Sequence, residues 1–109
     1  MADSGKELVG YVTVESRDQE LELGNIDVAR HVQGRGIGRR LVRFVEEKAR
    51  REGKRAVTVG TSRNAAGVPW RSFPWWQNQG YQVTSEEENA GSRSVGIGTR
   101  EIRMRRDLF

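Results

Sequence analysis

The sequence predicts an α/β fold: a mixed sheet built on a central strand–helix–strand unit, with an antiparallel strand pair toward its C-terminal end. Three observations predict it. Runs rich in β-branched residues recur at Leu8–Glu15, Leu21–Val28 and Lys54–Gly60, the composition of strands. Apolar residues recur at helical spacing over Ile37–Glu52. Glycines flank the helical run, Gly34 and Gly36 before it and Gly53 after it. The 109 residues are enough for one core, so residues 1–109 are expected to form a single domain.

Taken in order, Leu8–Glu15 is the first strand, and Ser16-Arg17-Asp18-Gln19 is a polar turn. Leu21–Val28 is the second strand, and its phase is broken. Leu21 and Leu23 occupy odd positions, Ile26 and Val28 even ones. A bulge near Gly24-Asn25 repairs the phase by inserting one residue; a strand buried on both faces explains it equally. Ile37, Leu41, Phe44, Val45 and Ala49 make one apolar stripe on the helix, and Gly53 is placed to cap its end. Lys54–Gly60 returns as a strand parallel to the second, through a right-handed crossover. Asn64–Gln79 is irregular and aromatic, with Pro69 and Pro74 breaking any long helix and a short helix expected after Pro74. Tyr81–Ser85 and Thr99–Arg106 form the last antiparallel pair, joined by a polar, glycine-rich loop over 86–98 that is expected to be mobile. Gly96-Ile97-Gly98 repeats Gly36-Ile37-Gly38 with no helix pattern behind it, so no internal repeat is inferred.

Composition excludes several chemistries. There is no cysteine, hence no disulfide, thiolate metal site or cysteine nucleophile. His31 is the only histidine, which argues against a Ser-His-Asp triad and against a polyhistidine metal site. No apolar run approaches the roughly 20 residues that span a bilayer, and the N-terminus lacks the pattern of a signal peptide. A cytoplasmic protein with no membrane partner is the expectation. The net charge of +4 conceals an asymmetry: residues 1–29 hold two bases against seven acids, and residues 30–55 ten bases against three. A basic block serves a nucleic acid, a phosphate ligand or a solvated helix face, and composition does not choose among them.

The informative segment is Gln33-Gly34-Arg35-Gly36-Ile37-Gly38, between a strand and an amphipathic helix. Alternate glycines carry no side chain to obstruct a ligand. The first amides of a helix have no intrahelical partner and sit at the positive end of its dipole. Together these suit a phosphate or diphosphate, with Arg35, Arg39 and Arg40 adding charge. Neither the dinucleotide spacing G-x-G-x-x-G nor a Gly-Lys-Ser/Thr ending is present. The pattern that fits is Gln/Arg-x-x-Gly-x-Gly/Ala over Gln33, Gly36 and Gly38.

That pattern resembles the acyl-CoA diphosphate motif of the GNAT superfamily of N-acetyltransferases. Asn25–Val32 resembles the strand and link that lead into the loop, and Trp75-Trp76-Gln77-Asn78-Gln79-Gly80-Tyr81 resembles the family's Phe-Tyr-x-x-x-Gly-Phe. The likeness runs from about Leu8 to the C-terminus. It implies acetyl-CoA as co-substrate and a primary amine as acceptor, with direct attack in a ternary complex. It also implies contacts to the cofactor from Val28, Ala29, Arg30, Gln33, Gly34, Arg35, Gly36, Ile37, Gly38, Arg39 and Asn64, the last to the pantetheine arm. A backbone amide at Val28 is implied for the tetrahedral oxyanion, and Glu22 for the proton-accepting carboxylate, with Glu20 and Asp27 as rivals.

Two departures from the family pattern stand out. The family's usual opening strand and two helices, which cover the acceptor site, have no counterpart in the seven residues before Leu8. Trp76 stands where the family often has an acidic tyrosine, and an indole N–H is not an acid at neutral pH. The aromatic group Trp70–Trp76 reads as core or subunit contact rather than a substrate pocket, with the subunit contact favoured, and a homodimer is expected. Asn64 reads equally as a turn residue. Two other functions compete: a degenerate module that binds acyl-CoA or another protein without catalysis, and a nucleic-acid binder. The latter gives no reason for the glycine spacing and is ranked last.

Overall fold

The computed structural model describes residues 2–4, 7–28 and 33–109. Six strands form one mixed sheet in the order β1-β2-β3-β4-β6-β5, where β1 is Ala2–Ser4, β2 Glu7–Ser16, β3 Glu20–Val28, β4 Ala56–Arg63, β5 Gln82–Glu87 and β6 Arg100–Asp107. The helices are α1 (Ile37–Arg51), α2 (Ser72–Asn78) and α3 (Ala90–Val95). The chain divides into two compact units: Met1–Val57 with Asp107–Phe109, and Thr58–Arg106.

In the first unit β2 and β3 pair antiparallel, with Gly10 opposite Val28 and Val12 opposite Ile26. Past that point the register slips, because Val14 faces Leu23. Gly24 and Asn25 therefore share Thr13 as their opposite, which is the bulge. A Cβ on Gly24 would lie 2.6 Å from Thr13 Oγ1, so any side chain there requires Thr13 to shift. The slip resolves the phase problem: Leu21 and Leu23 are buried, and Ile26 and Val28 follow, half-buried, on the same face.

α1 packs on that face. Its buried residues are Leu41, Val42, Val45, Glu46 and Ala49. This corrects the stripe expected from sequence in two places. Phe44 is 52% exposed and Glu46 only 1%. At about 100° per residue, the buried arc is turned away from Phe44 and toward Val42 and Glu46. Gly10 brings the helix close: a Cβ there would meet Ile37 Cγ2 and Leu41 Cδ1 at 3.3 Å. The helix closes with a Schellman motif, Lys54 N to Ala49 O at 2.9 Å and Gly53 N to Arg50 O at 3.1 Å. In its last turn Lys48 bonds Glu52 and holds that exposed carboxyl below its ordinary pKa.

In the second unit β5 and β6 pair antiparallel, with an irregularity between Val83 and Ser85. α2 begins before Pro74, not after it. Proline is tolerated in a first turn because that turn's amides need no intrahelical acceptor. Thr61 and Ser72 hydroxyls, 2.7 Å apart, tie its start to β4. Its end is a second Schellman closure, Tyr81 N to Trp76 O at 3.1 Å and Gly80 N to Gln77 O at 3.0 Å. The Trp76 and Tyr81 rings meet edge to face across it, centroids 5.1 Å apart. Trp76, 4% exposed, is therefore core rather than contact surface, while Trp70 is exposed. The expected mobile loop over 86–98 contains α3, capped by Asn89 and Ser92 bonding each other's backbone amides.

Candidate active site

The head of α1 carries the site. Gly34 and Gly36 take left-handed conformations, φ 83° and 78°, and nothing lies within 4 Å of where their Cβ atoms would be. Gly36 is the N-cap; it has no side chain to bond the first-turn amides, and the first turn holds no acid. The first intrahelical bond runs from Arg40 N to Gly36 O, 3.0 Å. The amides of Ile37, Gly38 and Arg39 thus receive no acceptor from the helix, at the positive end of its dipole. Gln33, Gly34, Arg35, Gly36 and Arg39 are exposed, and Ile37 and Gly38 half-buried. An open, cationic ring of peptide N–H groups is what a diphosphate requires.

Val28, at the end of β3, lies beside this ring. Gly10 pairs with Val28, and the first turns of α1 rest on Gly10. A direct bond completes the connection: the Gln33 side-chain amide Nε2 donates to the Val28 carbonyl at 2.9 Å. Sequence spacing named both residues but held no signal that they would bond. Ala29, Arg30 and His31 lie outside the described residues.

The carboxylates are distributed along β3. Glu22 is 15% exposed at its side chain and accepts from Arg17 Nη2 at 3.0 Å; Arg17 also reaches Glu15 at 3.5 Å. With about 3.3 Å of rise per residue and one residue absorbed by the bulge, Glu22 stands roughly 17 Å along the strand from Val28. Proton transfer over that distance needs a relay. Asp27 adjoins Val28 in the chain and is exposed. Among the described residues, no group of three or more His, Cys, Asp or Glu is arranged to hold a metal ion.

Asn64 belongs to the second unit, in the loop after β4. Its Oδ1 accepts from Ala66 N and Val68 N, both at 3.0 Å, and its backbone closes the same loop through Val68 O at 2.9 Å. Arg63 braces the loop from beneath, donating to Gly67 O at 2.8 Å and to Glu86 at 2.5 Å, with its guanidinium 5.9 Å from the Phe73 ring centre. The turn role of Asn64 is thus realised. Its Oδ1 is occupied within the loop.

Comparison with known proteins bears on the family and the fold. The sequence profile of the acetyltransferase (GNAT) family matches residues 1–70. An uncharacterized N-acetyltransferase, YvbK of Bacillus subtilis (strain 168), is 36% identical over 63 residues, 57% of this chain and 41% of that protein, so the match spans about two fifths of the relative's length. A Bacillus subtilis acetyltransferase solved in complex with CoA is 25% identical with a TM-score of 0.78, covering 97% of this chain and 73% of its own. An aminoglycoside 6'-N-acetyltransferase complexed with coenzyme A shares the fold at a TM-score of 0.83 and 19% identity, over 99% of this chain and 71% of its own. With the profile spanning well over half of the residues and the fold shared across nearly all of them, the chain belongs to the GNAT acetyltransferase family.

Proposed function

We propose that this chain binds acetyl-CoA as co-substrate and transfers its acetyl group to a primary amine, by direct attack on the thioester in a ternary complex. The observation that carries the proposal is the bare head of α1, where left-handed Gly34 and Gly36 leave the loop open and no capping side chain or acid takes up the first-turn amides. The backbone of Gln33–Gly38 grips the diphosphate, and Arg35 and Arg39 add charge around it. Ala29 and Arg30 enter through the family motif alone. Asn64 retains its Nδ2 as a donor for the pantetheine arm.

The chemistry proceeds on the Val28 side. An alkyl ammonium, with a pKa near ~10, must lose a proton before it attacks. The proton leaves through water toward Glu22, with Asp27 the nearer carboxylate along the strand. The Val28 amide stabilises the tetrahedral oxyanion, a contribution of about 3 kcal/mol for one such donor. The amine nitrogen bonds the acetyl carbon, the carbon–sulfur bond breaks, and the CoA thiolate departs. A thiol pKa near ~8.5 makes it a tolerable leaving group without a protein acid. Residues 1–109 act as one acyl-CoA-binding domain, and the protein works as a homodimer. The lack of cysteine suits a reducing cytoplasm.

One observation favours a second reading, an acyl-CoA-binding module without catalysis. Trp76, at the position of the family's acid, is an indole sealed in the core against Tyr81. CoA affinity with no acetylation across a broad amine panel selects that reading. The cofactor site itself is tested by Gly36→Glu, which puts a bulky anion into the ring. Calorimetry is expected to show CoA binding lost while circular dichroism shows the fold kept. Unchanged affinity rejects the site.

A further inference from the structure

Gln33 lies in the loop proposed for the diphosphate, and its side chain bonds back to the chain itself. Nε2 donates to the Val28 carbonyl at 2.9 Å, five residues back along the chain. The two ends of this bond belong to the two halves of the proposed reaction centre. Gln33 opens the loop whose amides take the diphosphate. Val28 ends the strand whose amide takes the oxyanion. The bond is a clasp across a segment of chain that begins in a strand and ends at a helix.

We propose that Gln33 is a positioning residue: its side-chain amide fixes the end of β3 relative to the helix head, so that seating a diphosphate on the loop also sets the Val28 peptide for the acyl carbonyl. This rests on the acyl-CoA reading above and deepens it. A catalytic donor must be in place before charge develops, because reorienting it during the reaction forfeits its benefit. The end of β3 pairs with β2 through a ladder whose length matters here. The bulge at Gly24-Asn25 interrupts that ladder, leaving Val28 in a short paired stretch of Gly10–Val12 against Ile26–Val28. One further hydrogen bond at that stretch shifts the balance of a local opening by roughly two- to twelvefold.

The experiment reads the coupling directly and needs no acceptor. The protein is labelled with nitrogen-15 and titrated with ADP, which carries a diphosphate but neither pantetheine nor thioester. In the wild type, the Gly36 and Gly38 amide resonances are expected to shift with ADP, and the Val28 amide with them. In Gln33→Met, which keeps the length and removes the donor, the loop resonances are expected to shift as before while the Val28 response is lost. Gln33→Arg, which restores a donor, is expected to recover it. A Val28 response that survives in Gln33→Met overturns the clasp, as does a wild type in which only the loop responds. If neither ADP nor CoA moves the loop resonances, the diphosphate site itself fails and the clasp falls with it.

Discussion

Glu22 illustrates how a side chain's neighbours redefine it. Sequence offered it as a carboxylate on a bulged strand; the structure shows it already paired with Arg17 and distant along the strand from Val28. Its partner Arg17 is 49% exposed at the side chain, so solvent screens the pair and it contributes about 0–1 kcal/mol to stability. Glu22→Gln is therefore expected to leave the unfolding midpoint nearly unchanged. If Glu22 receives the proton through water, the same variant lowers turnover by about 100-fold with CoA affinity held, since general-base catalysis contributes at least that much. Steady-state rates from pH 6 to 9, beside the CoA affinity, separate the cases. A variant that turns over normally, with Asp27→Asn inactive, moves the role to Asp27. The motif residues were legible because their function is local: glycine spacing and helix start sit in one short run. The partnerships Gln33–Val28 and Glu22–Arg17 were not, because each depends on where a second element places a side chain.

At the level of elements, periodicity located α1 to within a residue but misjudged its rotation. Counting apolar positions put Phe44 inside, because it falls at i+7 from Ile37 on the helical spacing. Packing instead turned inward the arc from Leu41 to Glu46, where small and branched side chains sit flush against the sheet. The bulge was legible because one broken phase in β3 admits few repairs. α3 was missed for the opposite reason. Ala-Gly-Ser-Arg-Ser-Val is a poor helix former, and its capping box uses Ser92 where Glu or Gln is the usual sign. A helix so weak in propensity depends on its cap. Asn89→Ala is expected to cost about 1 kcal/mol. Hydrogen exchange should accelerate across 90–95 before the rest of the second unit opens. Unaltered protection there assigns the helix to tertiary packing instead.

At the scale of the molecule, composition revealed a division of charge, acidic before residue 30 and basic after it, without saying what either half meets. The division into two units was not legible at all, because its boundaries at residues 57 and 106 fall inside β4 and β6 rather than in a linker. The first unit takes in residues 107–109 from the far end of the sequence. Leu108 is 9% exposed, and its amide bonds Arg55 O at 2.9 Å. Deleting residues 108 and 109 is expected to cost about 2 kcal/mol, close to the value of one buried leucine, read as a lower urea midpoint. An unchanged midpoint removes Leu108 from the core. The same arrangement orders events during synthesis. Within this sequence, residues 107–109, which belong to the first unit, are translated some fifty residues after the rest of that unit. The first unit is therefore complete only after residues 58–106 have been made.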